Sequence, residues 1–126
     1  MRHLALFGSL VVALAVSSVA LGAGGIAGSY ATTIKSPTDI KGKWVLAFAK
    51  GGTYRVRYDG DWIAHGTYSA TPTAITFRES ADEGCGGTGT YAWKRSGRTL
   101  TFTRKREVAR CQIRSVVLRH RFTRVR

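Results

Sequence analysis

From Gly42 onward, apolar and polar residues alternate with a period of two, the pattern of β-strands that bury one face. Trp44, Leu46 and Phe48 alternate with Lys43, Val45 and Ala47 until Lys50-Gly51-Gly52 breaks the run. Tyr54, Val56 and Tyr58 alternate with Arg55 and Arg57 ahead of an Asp59-Gly60-Asp61 turn. A third strand runs from Trp62 to Ser69 and ends at Thr71-Pro72-Thr73, and Ile75 and Phe77 mark a fourth. A Gly-rich loop, Ser80 to Gly87, follows. Tyr91 and Trp93 then mark a fifth strand, Ser96-Gly97 a turn, and Leu100 and Phe102 a sixth. Strands of about six residues joined by about four have the spacing of successive hairpins.

The triplet Gly-Thr-Tyr stands at Gly52–Tyr54, Gly66–Tyr68 and Gly89–Tyr91. Its spacing puts glycine and tyrosine on one face and threonine on the other. Glycine relieves crowding where a strand coils, threonine faces out, and the tyrosine points in. The repeat reads first as a folding device; a set of tyrosines lining a pocket is the functional alternative. Beyond Arg104 the period is mixed. Val108, Cys111, Ser115 and Leu118 fall at helical spacing, while Val116 to Phe122 also passes as a strand. We expect a short helical or irregular stretch from Glu107, then a last strand near Leu118 to Val125. Eight strands at about ten residues each need about 80 residues, which residues 42–126 supply. The expected fold class is all-β: a small antiparallel meander barrel of seven or eight strands, closed so that no edge is left bare.

The start of the chain follows other rules. Met1, Arg2 and His3 form a positive head, Leu4 to Leu21 is mostly apolar, and small residues crowd from Gly22 to Gly28. This reads as a secretory signal peptide over residues 1–27, cut after Ala20, Ala23 or Ala27, with an uncleaved membrane anchor as the alternative. Residues 28–41, rich in Ser and Thr, read as a flexible tether. In an exported chain the two cysteines, Cys85 and Cys111, are expected to pair.

Gly42-Lys43-Trp44, opening the first strand of the run, resembles the Gly-x-Trp signature of lipocalin and other calycin barrels. The meander and the late basic residues resemble that group too. The resemblance implies a small secreted barrel, with Trp44 buried at its closed end and an arginine near the last strand packed over it. Arg119, Arg121 and Arg124 are the candidates for that contact. It also implies a small apolar or aromatic ligand in the barrel mouth, held by Trp44, Tyr54, Tyr68, Tyr91 and Trp93. The connection after the first strand, Ala49 to Gly52, is shorter than the long lid loop of true lipocalins.

Charge adds a second signal. The chain carries a formal net charge of +13. Lys94 to Arg126 holds twelve basic residues and one acid, Glu107, whereas residues 37–93 balance six against six. Such a block attracts polyanions, or else is a solvated face. Arg119, Arg121, Arg124 and Arg126 are the expected contacts with anionic envelope surfaces, weak and salt-sensitive. No nucleic-acid motif accompanies the charge, and a monomer is expected.

Chemistry has little to work with. Asp82-Glu83 reads as a solvated loop, His65 as structural, and the Gly-rich loop lacks the phosphate-loop pattern. No enzyme activity, metal or other cofactor is expected. Two function classes follow. One is a secreted lipocalin-like, non-catalytic binding protein with a small ligand in the barrel mouth. The other is an envelope-associated interaction protein or secreted protease inhibitor acting through its outer surface or N-terminal arm.

Overall fold

Strand pairing follows the alternation along the chain. The computed structural model describes residues 25–126; the segment read as a signal peptide otherwise lies outside the described residues. The strands are β1 (Gly28–Ile34), β2 (Gly42–Phe48), β3 (Thr53–Tyr58), β4 (Asp61–Ala70), β5 (Ala74–Glu79), β6 (Thr88–Ser96), β7 (Thr99–Arg106) and β8 (Phe122–Val125). Each pairs antiparallel with the next and β8 returns to β1, so the sheet closes into an eight-stranded meander barrel. A 3-10 turn (Ala109–Cys111) leads into one short helix, α1 (Gln112–Val117), before the last strand. The expected all-β fold class is thus the observed one, and it is compatible with a lipocalin-like fold.

Two boundaries differ from expectation. The segment read as a tether forms β1, paired with β2 along its whole length and with β8 at Ser29, Tyr30 and Ala31. Its serines and threonines hid an alternation in which Tyr30 and Ile34 point inward, both essentially fully buried. Threonine is itself a good strand residue, so polarity was the wrong guide. The Gly-x-Trp motif therefore opens β2, and the barrel begins at Gly28 rather than at residue 42. The last strand also starts later than Leu118. Helical hydrogen bonding carries through Leu118, whose N–H donates to the Arg114 carbonyl at 2.9 Å, and β8 begins at Phe122.

The interior is packed with rings. Phe48 meets Tyr68 edge-on at 5.2 Å, Tyr54 meets Phe77 at 5.2 Å, and Tyr91 meets Phe77 at 5.8 Å. Phe102 links this set to Phe122 at 6.2 Å. Edge-to-face pairs add to the burial of each ring. All three tyrosines of the Gly-Thr-Tyr repeat are buried, as a folding device requires. At the end where the hairpins 49–52, 71–73 and 97–98 lie, Ile26 plugs the barrel, fully buried, its carbonyl accepting from the Tyr30 hydroxyl at 3.0 Å. The opposite end carries α1, the Gly-rich loop and a 3-10 turn at Thr38–Ile40.

Cys85 and Cys111 are disulfide-bonded, tying the Gly-rich loop to the start of α1. Arg110 reinforces the tie by donating to the Cys85 and Gly86 carbonyls, both at 3.1 Å. On loop-closure entropy this bridge stabilises the fold by about 3.5 kcal/mol. Alkylation of the unreduced protein should find no free thiol, and a reductant should lower the melting temperature. Two alkylated cysteines per native chain would refute the pairing.

Candidate functional site

A cavity of about 320 Å³ lies at the α1 end of the barrel, between the helix and strands β3 and β4. Trp44, Leu46, Val56, Ala64 and Phe77 wall it from the sheet, and Val117 and Leu118 from the helix side. Its rim carries the two exposed large apolar side chains of the described residues, Ile63 at 38% and Ile113 at 54% exposure. Ile63 owes its place to a bulge: Val56 pairs with Ala64 and Arg57 with Trp62, which leaves Ile63 as the extra residue.

A polar cluster backs this lining and reaches the cavity through Glu79, Arg114 and Tyr54. Arg114, on α1, donates from Nε and Nη2 to the two oxygens of Glu107 at 2.8 and 2.7 Å. This two-pronged pair is the strong form of a charged hydrogen bond. Side-chain exposure is 8% for Arg114 and 1% for Glu107. The Tyr91 hydroxyl and the Val108 N–H also donate to Glu107. Next to the pair stands Glu79, at the end of β5, with 8% side-chain exposure and 3.8 Å from Arg114 Nη1. Glu79 accepts from the Tyr54 hydroxyl at 3.0 Å and from the Cys85 N–H at 2.7 Å.

Glycines make this cluster possible. A Cβ on Gly84, at φ +125, would lie 2.4 Å from Glu79 Oε2. One on Gly89 would lie 2.6 Å from Glu107 Oε2 and 2.8 Å from Arg114 Nη2. The Gly-rich loop is thus a cradle for the Glu79 carboxylate, and the glycine of the third Gly-Thr-Tyr triplet leaves room for the Glu107–Arg114 ion pair.

The five expected ligand-binding aromatics part company here. Trp44 and Tyr54 line the cavity. Tyr68 sits toward the hairpin end, its hydroxyl donating to the Ala49 carbonyl at 2.6 Å. Tyr91 borders a separate space of about 230 Å³ with Arg104, Ser115 and Arg119. Trp93 is half-buried at the hairpin end, its indole N–H donating to the Thr71 carbonyl at 2.8 Å. Trp44 is buried as expected, but at the end that holds the cavity rather than at the end Ile26 closes; its ring partner is Tyr58, with centroids 4.5 Å apart, and its indole N–H donates to the Ile40 carbonyl. The late arginine falls elsewhere: Arg124 lies over Tyr30, 5.8 Å from its centroid, at the opposite end. The four expected polyanion contacts divide likewise. Arg124 packs on the barrel, while Arg119, Arg121 and Arg126 are exposed. Asp82 accepts from Ser80 and Glu83 pairs with His65 at 2.9 Å, so these carboxylates serve separate partners. Among the described residues no group of three or more His, Cys, Asp or Glu is arranged to hold a metal ion.

Burial, then the charge and hydrogen bond of Glu79, hold the Tyr54 hydroxyl well above the usual tyrosine range. Burial and Glu107 do the same to Tyr91. Burial alone would raise the Glu107 carboxyl, but the hydrogen bonds from Arg114 and Tyr91 and the Arg114 charge outweigh it and hold it low. Unfolded tyrosines lose their protons near pH 10 and the two buried ones do not, so stability is full below about pH 10 and falls above it. Glu107 has the opposite sign. Its contribution is present above the ordinary carboxyl value of about 4.3 and is lost as pH falls through its lowered folded value. Melting temperature against pH should therefore show a plateau with a limb on each side. Tyr54→Phe with Tyr91→Phe should flatten the alkaline limb, and an unchanged limb would contradict the assignment.

No family model matches the chain, and no curated protein or solved structure matches it significantly.

Proposed function

We propose that the protein is a secreted, lipocalin-like binding protein that holds a small, mainly apolar ligand in the cavity under α1, without catalysing a reaction. The cavity carries this reading. Aromatic rings pack much of the interior, yet here about 320 Å³ stays open behind an apolar rim, and the space of about 230 Å³ beside Tyr91 is bordered by Arg104, Ser115 and Arg119 instead. Ligand sites are mostly apolar clefts of roughly 300–1,000 Å³ with a few buried polar groups, and this cavity stands at the small end of that range. The test is titration with N-phenyl-1-naphthylamine, whose fluorescence rises in apolar surroundings. Saturable binding is expected, and Ala64→Leu, which fills the cavity wall, should abolish it in a folded protein. Binding that survives the filled cavity would place the dye elsewhere and sink the proposal. Native mass spectrometry of the exported protein would then identify the natural occupant.

Weak attachment to anionic envelope surfaces is the second reading, supported by the exposure of Arg119, Arg121 and Arg126. Retention on anionic vesicles should fall as salt rises, because exposed charges are screened over about 8 Å at physiological ionic strength. The protease-inhibitor variant of this reading has less support. The arm it needs is β1, whose residues 29–31 are paired on both sides.

A further inference from the structure

The charge on the cavity wall says more about the occupant than the apolar lining does. Among the described residues Glu79 is the one carboxylate that lines it, beside the guanidinium groups of Arg114 and Arg110; Glu107 stands behind the wall, paired to Arg114. Arg114 spends its two-pronged face on Glu107, and its Nη1 donates to the Gly87 carbonyl at 3.2 Å. That pair is closed and nearly neutral. Glu79 keeps only a longer ion pair with the same guanidinium, 3.8 Å from Nη1 and beyond hydrogen-bond distance. Its oxygens take one neutral hydrogen bond each, from Tyr54 and from the Cys85 N–H. A carboxylate offers about four lone-pair sites, so it can still accept. Tyr54 has already given its only proton to Glu79, so on this side it too can only accept. Arg110 is the other cation at the cavity, but it is exposed and engaged with the Cys85 and Gly86 carbonyls. Water screens it, whereas Glu79 faces the cavity with little solvent around it.

We infer that the cavity takes an apolar molecule whose polar end is a protonated amine, set against Glu79, and that it discriminates against carboxylates of the same shape. The inference rests on the binding reading above and narrows it to a ligand class. An ammonium group brings three donors and a positive charge at hydrogen-bond distance, where the Arg114 guanidinium reaches Glu79 only at 3.8 Å. A fatty-acid headgroup brings like charge and acceptors only, to a wall whose acceptors are already in surplus. A neutral alcohol can donate one hydrogen bond and stands between the two. The apolar rim at Ile63 and Ile113 suits a short alkyl or aryl body.

The experiment compares nonylamine, 1-nonanol and nonanoate by calorimetric titration at neutral pH and low salt. The amine should bind at least about tenfold more tightly than the acid, since like charges brought together in a dry site cost several kcal/mol. The alcohol should fall between them. Glu79→Gln, which keeps the shape and an acceptor oxygen, should erase the amine-over-acid preference. Should this variant not fold, the three-way comparison on the unaltered protein decides the matter. Equal binding of amine and acid, tighter binding of the acid, or a preference that persists in Glu79→Gln would overturn the inference while leaving the binding site in place. Failure of all three to bind would remove the binding reading as well.

Discussion

Replacing Arg114 by methionine will destabilise the protein by about 3–5 kcal/mol, the range for removing one partner of a buried ion pair. The loss will not be that of one contact. Glu107, at 1% side-chain exposure, would keep its charge with only the Tyr91 hydroxyl and the Val108 N–H to answer it. Glu79 would lose the one guanidinium near it. Methionine matches the arginine stem in length, so packing of α1 is disturbed little. The control is Glu107→Gln in the same chain, which removes the stranded charge and should recover about 2 kcal/mol of the loss. Urea unfolding of the parent, the single variants and the double variant completes the cycle. An Arg114→Met protein with the parent's midpoint would mean that water reaches the pair despite its low exposure.

Trp44→Ala carries a comparable penalty for a different reason. The side chain is 5% exposed, stacks on Tyr58 and donates to the Ile40 carbonyl at 2.8 Å. Truncating a buried tryptophan costs about 3–5 kcal/mol, and the cost grows with the empty volume left behind. Trp44 borders a cavity that is already open, so the new space merges with it rather than collapsing. Trp44→Phe should recover most of the loss and leave about 1 kcal/mol for the missing hydrogen bond to Ile40. The same substitution to alanine should also loosen dye binding, because one wall of the cavity is gone. A Trp44→Ala protein that melts as the parent does would contradict both its packing role and its place in the wall.

Much of the barrel could be read from alternation alone. Where Trp44, Leu46 and Phe48 or Tyr54 and Val56 alternate with polar neighbours, period two assigns each residue a face, and β2 to β7 follow. It failed at β1, where threonines supply strand propensity without apolarity. It blurred beyond Arg104, where a six-residue helix and a four-residue strand are too short for either period to declare itself. The site was less legible. Alternation says that Tyr54, Tyr68 and Tyr91 point inward, but not how far along the barrel axis each one sits. Only Trp44 and Tyr54 share the cavity. Glu79, Glu107 and Arg114 were passed over because a charged residue in a strand or basic stretch looks like surface. The usable signal was the glycines at 84 and 89, whose missing side chains are the space the carboxylates occupy.

The seam between β7 and β8 leaves part of a strand edge without a partner. β8 pairs with β7 only at Thr99 and Leu100, so beyond Leu100 β7 has no strand neighbour on that side. A bare strand edge is a template for another chain. That stretch of β7 ends in Arg104, Lys105 and Arg106, all exposed, and a bulge between Thr90 and Tyr91 distorts the pairing there. Two such edges brought together would set three cations against three. Part of the basic block therefore lies along one of the two stretches where the closed sheet is incomplete, the other being Thr32–Ile34 of β1, and its charge would oppose edge-to-edge pairing there whether or not any polyanion is ever bound.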